Sequence, residues 1–267
     1  MSAIFKIHKT ITGNCILALF LIIHSNACGQ TNKVSQFWNK LTFTKPLAKG
    51  WSTEFYVKQI WSSDNNSKSL FADHNQWQLG EWIHFYPGAR WKTSFGIGYL
   101  DYQEVAHEQS HIGEWRWSIQ AAYYLKKIGY RLTIRSRIEN RGRKDSTDIR
   151  TTAFRFREEL KFVYPLGSKI IRGKIWYLIA SDEVMFQSTL QPYFDRNRLT
   201  AGVGYALTDD VQIETTYVNQ YIQRQEQNEL DQVLQVNFVF NNLLSNLKNR
   251  WKKKPEIPVA SKIHEDE

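Results

Sequence analysis

The chain holds two cysteines in 267 residues, Cys15 and Cys28, and both fall within the first 30. Beyond them there can be no disulfide and no cysteine-based metal site. Long apolar runs are equally scarce. A membrane-crossing helix needs about 20 consecutive apolar residues, and outside the N-terminus no stretch comes near that. This excludes a helical membrane protein and nothing more. Barrel strands hide in low-hydropathy sequence, because half their residues face a polar interior. Aromatics, by contrast, are plentiful, with 10 Trp and 13 Tyr.

A formal charge of +9 invites a nucleic-acid reading. Much of it sits in the leader and in a tail around Lys248, Arg250, Lys252, Lys253 and Lys254. The remaining basic residues alternate with apolar ones and form no single stripe, so nucleic acid is not an expected partner. His74, His84, His107 and His111 read as strand-end or loop residues. Neither a metal nor any other cofactor is expected.

What the chain does have is alternation. In the stretch RNRLTAGVGYALTDDVQIETTYVNQYIQ, Leu199, Ala201, Val203, Tyr205 and Leu207 alternate with Arg198, Thr200, Gly202, Gly204 and Ala206. After Thr208-Asp209-Asp210 the pattern resumes with Val211, Ile213, Thr215 and Tyr217. A period of two sends side chains to opposite faces of a strand, and the Asp-Asp break reads as a hairpin.

Residues 1–29 read as a cleaved signal peptide: a basic start at Lys6, His8 and Lys9, the apolar run 16–23, then small residues at Ser25, Ala27 and Gly29. Cys28 is a candidate lipidation site, although Ser25 stands where such signals usually carry Leu. Residues 30–50 form an extended segment that ends near Pro46. Ten alternating segments follow near 51–60, 74–86, 91–102, 112–125, 130–140, 149–164, 170–181, 196–207, 211–223 and 231–241. They exceed the 5–6 residues usual in soluble strands and match the roughly 9–11 of a tilted membrane strand. Short links at 87–90, 126–129, 165–169 and 208–210 alternate with longer ones at 62–73, 103–111, 141–148, 182–195 and 224–230. Outer-membrane barrels connect their strands in this way.

The expectation is therefore all-β: a single closed antiparallel transmembrane β-barrel of about ten strands over 51–241, with twelve as the alternative. With ten strands both ends of the barrel lie on one side. An eleventh strand at Trp38–Phe43 would start from the wrong side, so that piece is expected to fold into or under the barrel. Residues 242–267 read as a polar Lys-rich periplasmic tail, with a short helix at 243–251; its periplasmic partner is unknown.

The outer face is expected to carry Trp91, Phe95, Ile97, Tyr99, Trp115, Trp117, Ile119, Tyr123, Leu132 and Ile134. Phe154, Phe156, Leu160, Phe162, Ile175, Tyr177, Ile179, Leu234, Val236, Phe238 and Phe240 complete it. A bare carboxylate is costly there, yet Glu81 and Glu158 fall on this face. Either a bulge shifts the register or both lie near the interface. The opposite face gathers Glu114, Arg116, Arg131, Arg135, Arg137, Glu139, Arg155, Arg157, Glu159, Arg172, Lys174, Arg198 and Glu214. Inside a narrow barrel such groups must pair, so they form a wall-bracing charge network and a candidate anion or lipid-headgroup site.

The segments QFWNKLTFTKPLAKGWSTEFYVKQIW, RLTIRSRIENR, FRFREELKFVYPL and RNRLTAGVGYALTDDVQIETTYVNQ resemble the DUF2490 family. Its most specific parts here are the NRLxxGxGYxL hairpin and the RFRxE strand. The resemblance implies a leader peptide and an outer-membrane-type barrel of a kind common in Bacteroidetes, and transfers no catalytic motif. Three functions are weighed. The first is a structural or interaction barrel with outer-membrane lipid as its partner and no enzyme activity. The second is a narrow barrel that binds or passes small anionic or lipidic molecules. The third is an outer-membrane hydrolase or acyltransferase at the loop rim, where Ser62, Ser63, Asp64, Asp73 and His74 stand near Asp101, His107 and His111.

Overall fold

The computed structural model describes residues 31–63, 69–103, 111–127, 129–144, 149–224 and 227–242. The expected signal peptide, Cys28, His107 and the tail from 243 on lie outside the described residues. Eleven strands follow in order: β1 (Thr31–Ala48), β2 (Trp51–Ser62), β3 (Asp73–Gly88), β4 (Trp91–Gln103), β5 (His111–Lys127) and β6 (Tyr130–Lys144). Then come β7 (Arg150–Pro165), β8 (Ile175–Gln187), β9 (Phe194–Ala206), β10 (Val211–Ile222) and β11 (Asn228–Asn241). Each strand pairs with its chain neighbours, and β1 closes the cylinder against β11.

That closure corrects the expected strand count and the expected barrel boundary at residue 51. All sequential pairs are antiparallel, whereas β1 and β11 run parallel from Thr31↔Asn228 to Thr44↔Asn241. A closed sheet with only antiparallel pairs must have an even number of strands, so eleven require one parallel seam. The parity rule that barred Trp38–Phe43 from the wall assumed that no such seam forms. The seam leaves neither β2 nor β11 with an open edge of unpaired backbone groups. Asn242 N donates to Thr44 O at 2.9 Å and Ser63 N to Ser35 O at 2.9 Å, continuing the pairing past the strand ends.

Two-residue alternation positions everything else. On β5, Trp115 is 61% exposed while its neighbour Glu114 is 0% exposed. Phe95, Ile97, Ile119, Phe154 and Leu234 are likewise exposed on the outer wall. Glu81 and Glu158 stay on that wall. The register runs unbroken through both, from Phe55 through Glu81 to Ile97 and from Ser136 through Glu158 to Val184. The bulge explanation therefore falls. Glu81 accepts a hydrogen bond from Thr53 Oγ1 at 3.0 Å.

The frame of β8 differs from expectation. Tyr177 and Ile179 point inward and are 1% and 4% exposed, while Trp176 and Leu178 face out. Arg172 and Lys174, assigned above to the lumen, are exposed in the turn before the strand, where Lys174 adopts a φ of 68°. The run Trp176-Tyr177-Leu178-Ile179-Ala180 is apolar on both faces, so alternation alone could not choose its frame. The strand also begins later and ends later than expected. The link at 166–174 is consequently longer than the one at 188–193, and strict short–long alternation breaks at this one place.

Aromatic rings fill much of the inner wall by lying over glycines. A Cβ on Gly96 would stand 2.5 Å from the Trp82 ring, and one on Gly80 2.5 Å from Tyr56. Gly204 lies beneath Tyr177 in the same way. Glycine in a strand here marks close approach of a side chain. Trp38, Val218 and Val233 form a buried apolar cluster at the seam, and Val163, Tyr177 and Ile179 form another.

Candidate functional site in the lumen

Strands β5 to β9 bring a relay of ion pairs onto the inner wall. Glu114 takes Arg116 Nη2 at 2.5 Å, Arg141 Nη2 at 2.7 Å and Arg143 Nε at 3.0 Å. Arg116 also stands 3.7 Å from Glu139. Glu139 accepts from Arg157 Nη1 at 2.7 Å and from Arg137 Nη1 at 3.4 Å. Arg157 then grips Glu183 through both Nε, at 3.0 Å, and Nη2, at 2.7 Å. Arg135 Nη2 reaches Glu183 at 2.5 Å, and Arg198 Nη1 at 3.4 Å. One guanidinium thus joins each carboxylate to the next, from β5 across to β9.

The pairing is obligatory. Glu114 and Glu139 are each 0% exposed, and an isolated ion taken out of water costs several kcal/mol. Bidentate guanidinium geometry meets that need with directed, charge-assisted bonds. Neutral amides extend the relay. Gln120 accepts from Arg137 at 2.7 Å, Gln220 from Arg198 at 2.6 Å, and Gln187 from Arg141 at 2.6 Å. Arg155 pairs with Asp195 at 2.9 Å. Rings add a further layer: the Arg137 guanidinium lies 4.6 Å from the Trp82 ring centre and that of Arg198 5.0 Å from Trp38, contacts that reach across intervening strands.

Toward the short-turn end the lumen opens into a cavity of about 690 Å³. Lys40, Glu54, His84, Lys92, Arg131, Arg135, Glu159, Lys161 and Glu214 are among its lining residues. Its carboxylates are engaged. Glu54 faces Lys40 Nζ at 3.8 Å and His84 Nε2 at 3.5 Å, and Glu159 faces Arg135 at 3.2 Å. Glu214 accepts from Tyr177 at 3.2 Å and from Asn237 at 3.3 Å.

Of the residues assigned to the lumen from sequence, Glu114, Arg116, Arg135, Arg137, Glu139, Arg155, Arg157, Glu159 and Arg198 join ion pairs there. Arg131 and Glu214 line the cavity, and only Arg172 and Lys174 fall elsewhere. The sequence reading missed Glu183, Asp195, Glu54 and Lys92. Glu183 and Asp195 fall in the link expected over 182–195. The alternation of Ser181, Glu183 and Gln187 against Val184 and Phe186 is the signal that extends β8 through Glu183, while Asp195 falls at the start of β9.

Of the rim residues weighed for catalysis, Asp64 and His107 lie outside the described residues, and the others are placed in part. Ser62 Oγ accepts from Asn75 at 2.6 Å, and His74 lies edge-on to Trp61 with 4.7 Å between ring centres. A different constellation exists inside, where His84 Nδ1 is 2.8 Å from Ser94 Oγ and its Nε2 faces Glu54. Gln120 Nε2 also donates to Ser94 Oγ at 3.2 Å. Ser94 is buried and does not line the cavity, so this chain braces β2 to β5.

The histidine reading passed over one spacing, since residues 107–111 are His-Glu-Gln-Ser-His. That pattern binds zinc when a helix stacks its two histidines on one face. Here His111 is the first residue of β5, and 107–110 lie outside the described residues. Among the described residues no group of three or more His, Cys, Asp or Glu side chains could hold a metal ion.

Fold and lumen together define a closed all-β barrel with an apolar outer wall and an ionic interior. The chain belongs to the DUF2490 family, described as a protein of unknown function, whose model matches residues 35–231. The match starts within β1 and ends at Asp231, near the start of β11. None of the curated proteins compared with the chain matches it.

Proposed function

We propose that this protein is a bacterial outer-membrane barrel of structural or interaction type, exported by a cleaved N-terminal signal and solvated by membrane lipid. The observation that carries the reading is the inversion of its two faces. A soluble barrel packs apolar side chains inside and exposes polar ones. Here Trp115, Ile119 and Phe95 are exposed outward, while Glu114, Glu139 and Glu183 are buried within. At about 25 cal/mol per Å², so many apolar side chains left in water would be a standing cost that hydrocarbon removes.

Aromatic placement supports the same reading. Toward the short turns, Trp51 packs on Phe85, Trp91 on Tyr123, Trp176 on Tyr205 and Phe43 on Phe240. Toward the opposite end Tyr99 packs on Trp115 and Phe186 on Phe194. Two such belts are what amphipathic rings form at the two interfaces of a bilayer. No helix among the described residues is long and apolar enough to cross a membrane, so the strands carry any crossing.

In this reading the relay from Glu114 to Glu183 braces the wall and fills the section it crosses. The test has two parts. The mature chain should fractionate with outer membranes and migrate faster unheated than boiled; a mature chain that stays in solution without detergent would sink the proposal. In planar bilayers it should add no steady conductance, and a stable open channel would refute the filled lumen.

A further inference from the structure

We propose that the cavity at the short-turn end is a binding site for a phosphate group, held by Lys92, Arg131 and Lys161. The chemical class is a phosphomonoester or a phospholipid headgroup. The binding rests on the cavity alone, and only the compartment it faces, the periplasm, rests on the reading above.

Elsewhere in the lumen the guanidinium groups have carboxylates. These three do not: Lys92, Arg131 and Lys161 all line the cavity, and none has an ion-pair partner among the described residues. Nε of Arg131 is buried and has no hydrogen-bond partner. The carboxylates that line the cavity have closer partners. Glu54 is held between Lys40 and His84, Glu159 is taken by Arg135, and Glu214 serves Tyr177 and Asn237.

Register puts the three on one wall. Lys161 lies opposite Thr133 on β6, two residues from Arg131. Lys92 lies opposite Ala122 of β5, which in turn faces Arg135 of β6. The small, buried side chain of Ala122 leaves the space between β4 and β6 open. Like charges in an enclosed site repel one another and attract a counter-anion. One carboxylate would leave most of that charge uncompensated, while a phosphate dianion answers a guanidinium fork and two ammonium groups together. The cavity volume is within the range of small-molecule sites, about 300–1,000 Å³, so it accommodates a phosphate with an attached organic group.

The experiment uses the full mature protein in a phosphate-free, non-ionic detergent. Calorimetric titrations are run with glycerol 3-phosphate and, separately, with dihexanoyl phosphatidic acid. Saturable binding of either probe is expected. Binding of the first alone identifies a soluble phosphomonoester, and binding of the second alone a lipid headgroup. Binding should weaken at least tenfold in Arg131→Gln and in Lys161→Gln, and vanish in the triple variant that adds Lys92→Gln. Arg224→Gln, at the opposite rim, should bind as the parent does. Heat-modifiable migration reports that each variant is folded, and the single variants decide the matter if the triple is not. Absence of binding by both probes overturns the proposal, as does unchanged affinity in the folded variants. A barrel that binds phosphate yet proves soluble would refute the membrane reading and leave this one standing.

Discussion

The two halves of the lumen use the same side chains to opposite ends. In the half nearer the long loops, Glu114, Glu139 and Glu183 each gather two or more guanidinium groups, and Gln120, Gln187 and Gln220 take up further donors. In the half nearer the short turns, cations outnumber available acids and the space between them is open. The supply of acids explains the contrast. Where carboxylates stand among the guanidinium groups, buried Glu114, Glu139 and Glu183 are paired; around the cavity the acids are too few, and Arg131 keeps a buried Nε without a hydrogen-bond partner. Net charge alone would have assigned both halves one role.

The comparison is broken most severely at Glu183. Glu183→Ala removes the acceptor shared by Arg135, Arg157 and Arg198 and leaves buried cations facing one another. A loss of about 3–5 kcal/mol is expected, read as a large fall in the urea midpoint for refolding into detergent or vesicles. Retention of the parental midpoint would mean that water reaches this level of the lumen.

A smaller effect is expected from the outside. Ile119→Arg puts a cation on the exposed face of β5 and, on the proposed membrane reading, should cost about 2–4 kcal/mol in a bilayer. Refolding into lipid vesicles measures it, and a neutral result would count against hydrocarbon at residue 119. Next comes Gly204→Ala, whose methyl group would press into the Tyr177 ring. Overpacking of this kind costs about 1–3 kcal/mol, and pairing it with Tyr177→Leu should recover part of the loss in a double-mutant cycle. The mildest change is Lys161→Gln in the open half, with an expected stability change within about 0.5 kcal/mol. A loss rivalling that of Glu183→Ala would erase the distinction between the halves.

Much of this architecture was legible in the alternation of the chain. Leu199, Ala201, Val203 and Tyr205 announced their strand, and Glu114, Arg116, Arg135, Arg137 and Glu139 announced the inner face. Legibility failed for three physical reasons. Trp176 through Ala180 is apolar on both faces, because Tyr177 and Ile179 pack inside a lumen otherwise read as ionic. The frame of β8 therefore slipped by one, and Glu183 went with it. The strand number failed because parity presumes antiparallel pairing throughout, while the ladder between Thr31 and Asn228 runs parallel. The open cavity was invisible for a third reason. Alternation shows which residues face inward, but not that the acids beside Lys92, Arg131 and Lys161 are already claimed.

The parallel seam also fixes where the chain begins and leaves the cylinder. Thr31 stands at the rim of the longer loops and Asn241 at the rim of the tight turns. Anything joined upstream of the first strand is therefore delivered to one face of the wall, and anything joined downstream to the other. A single copy can in this way hold one attachment at each end of the cylinder.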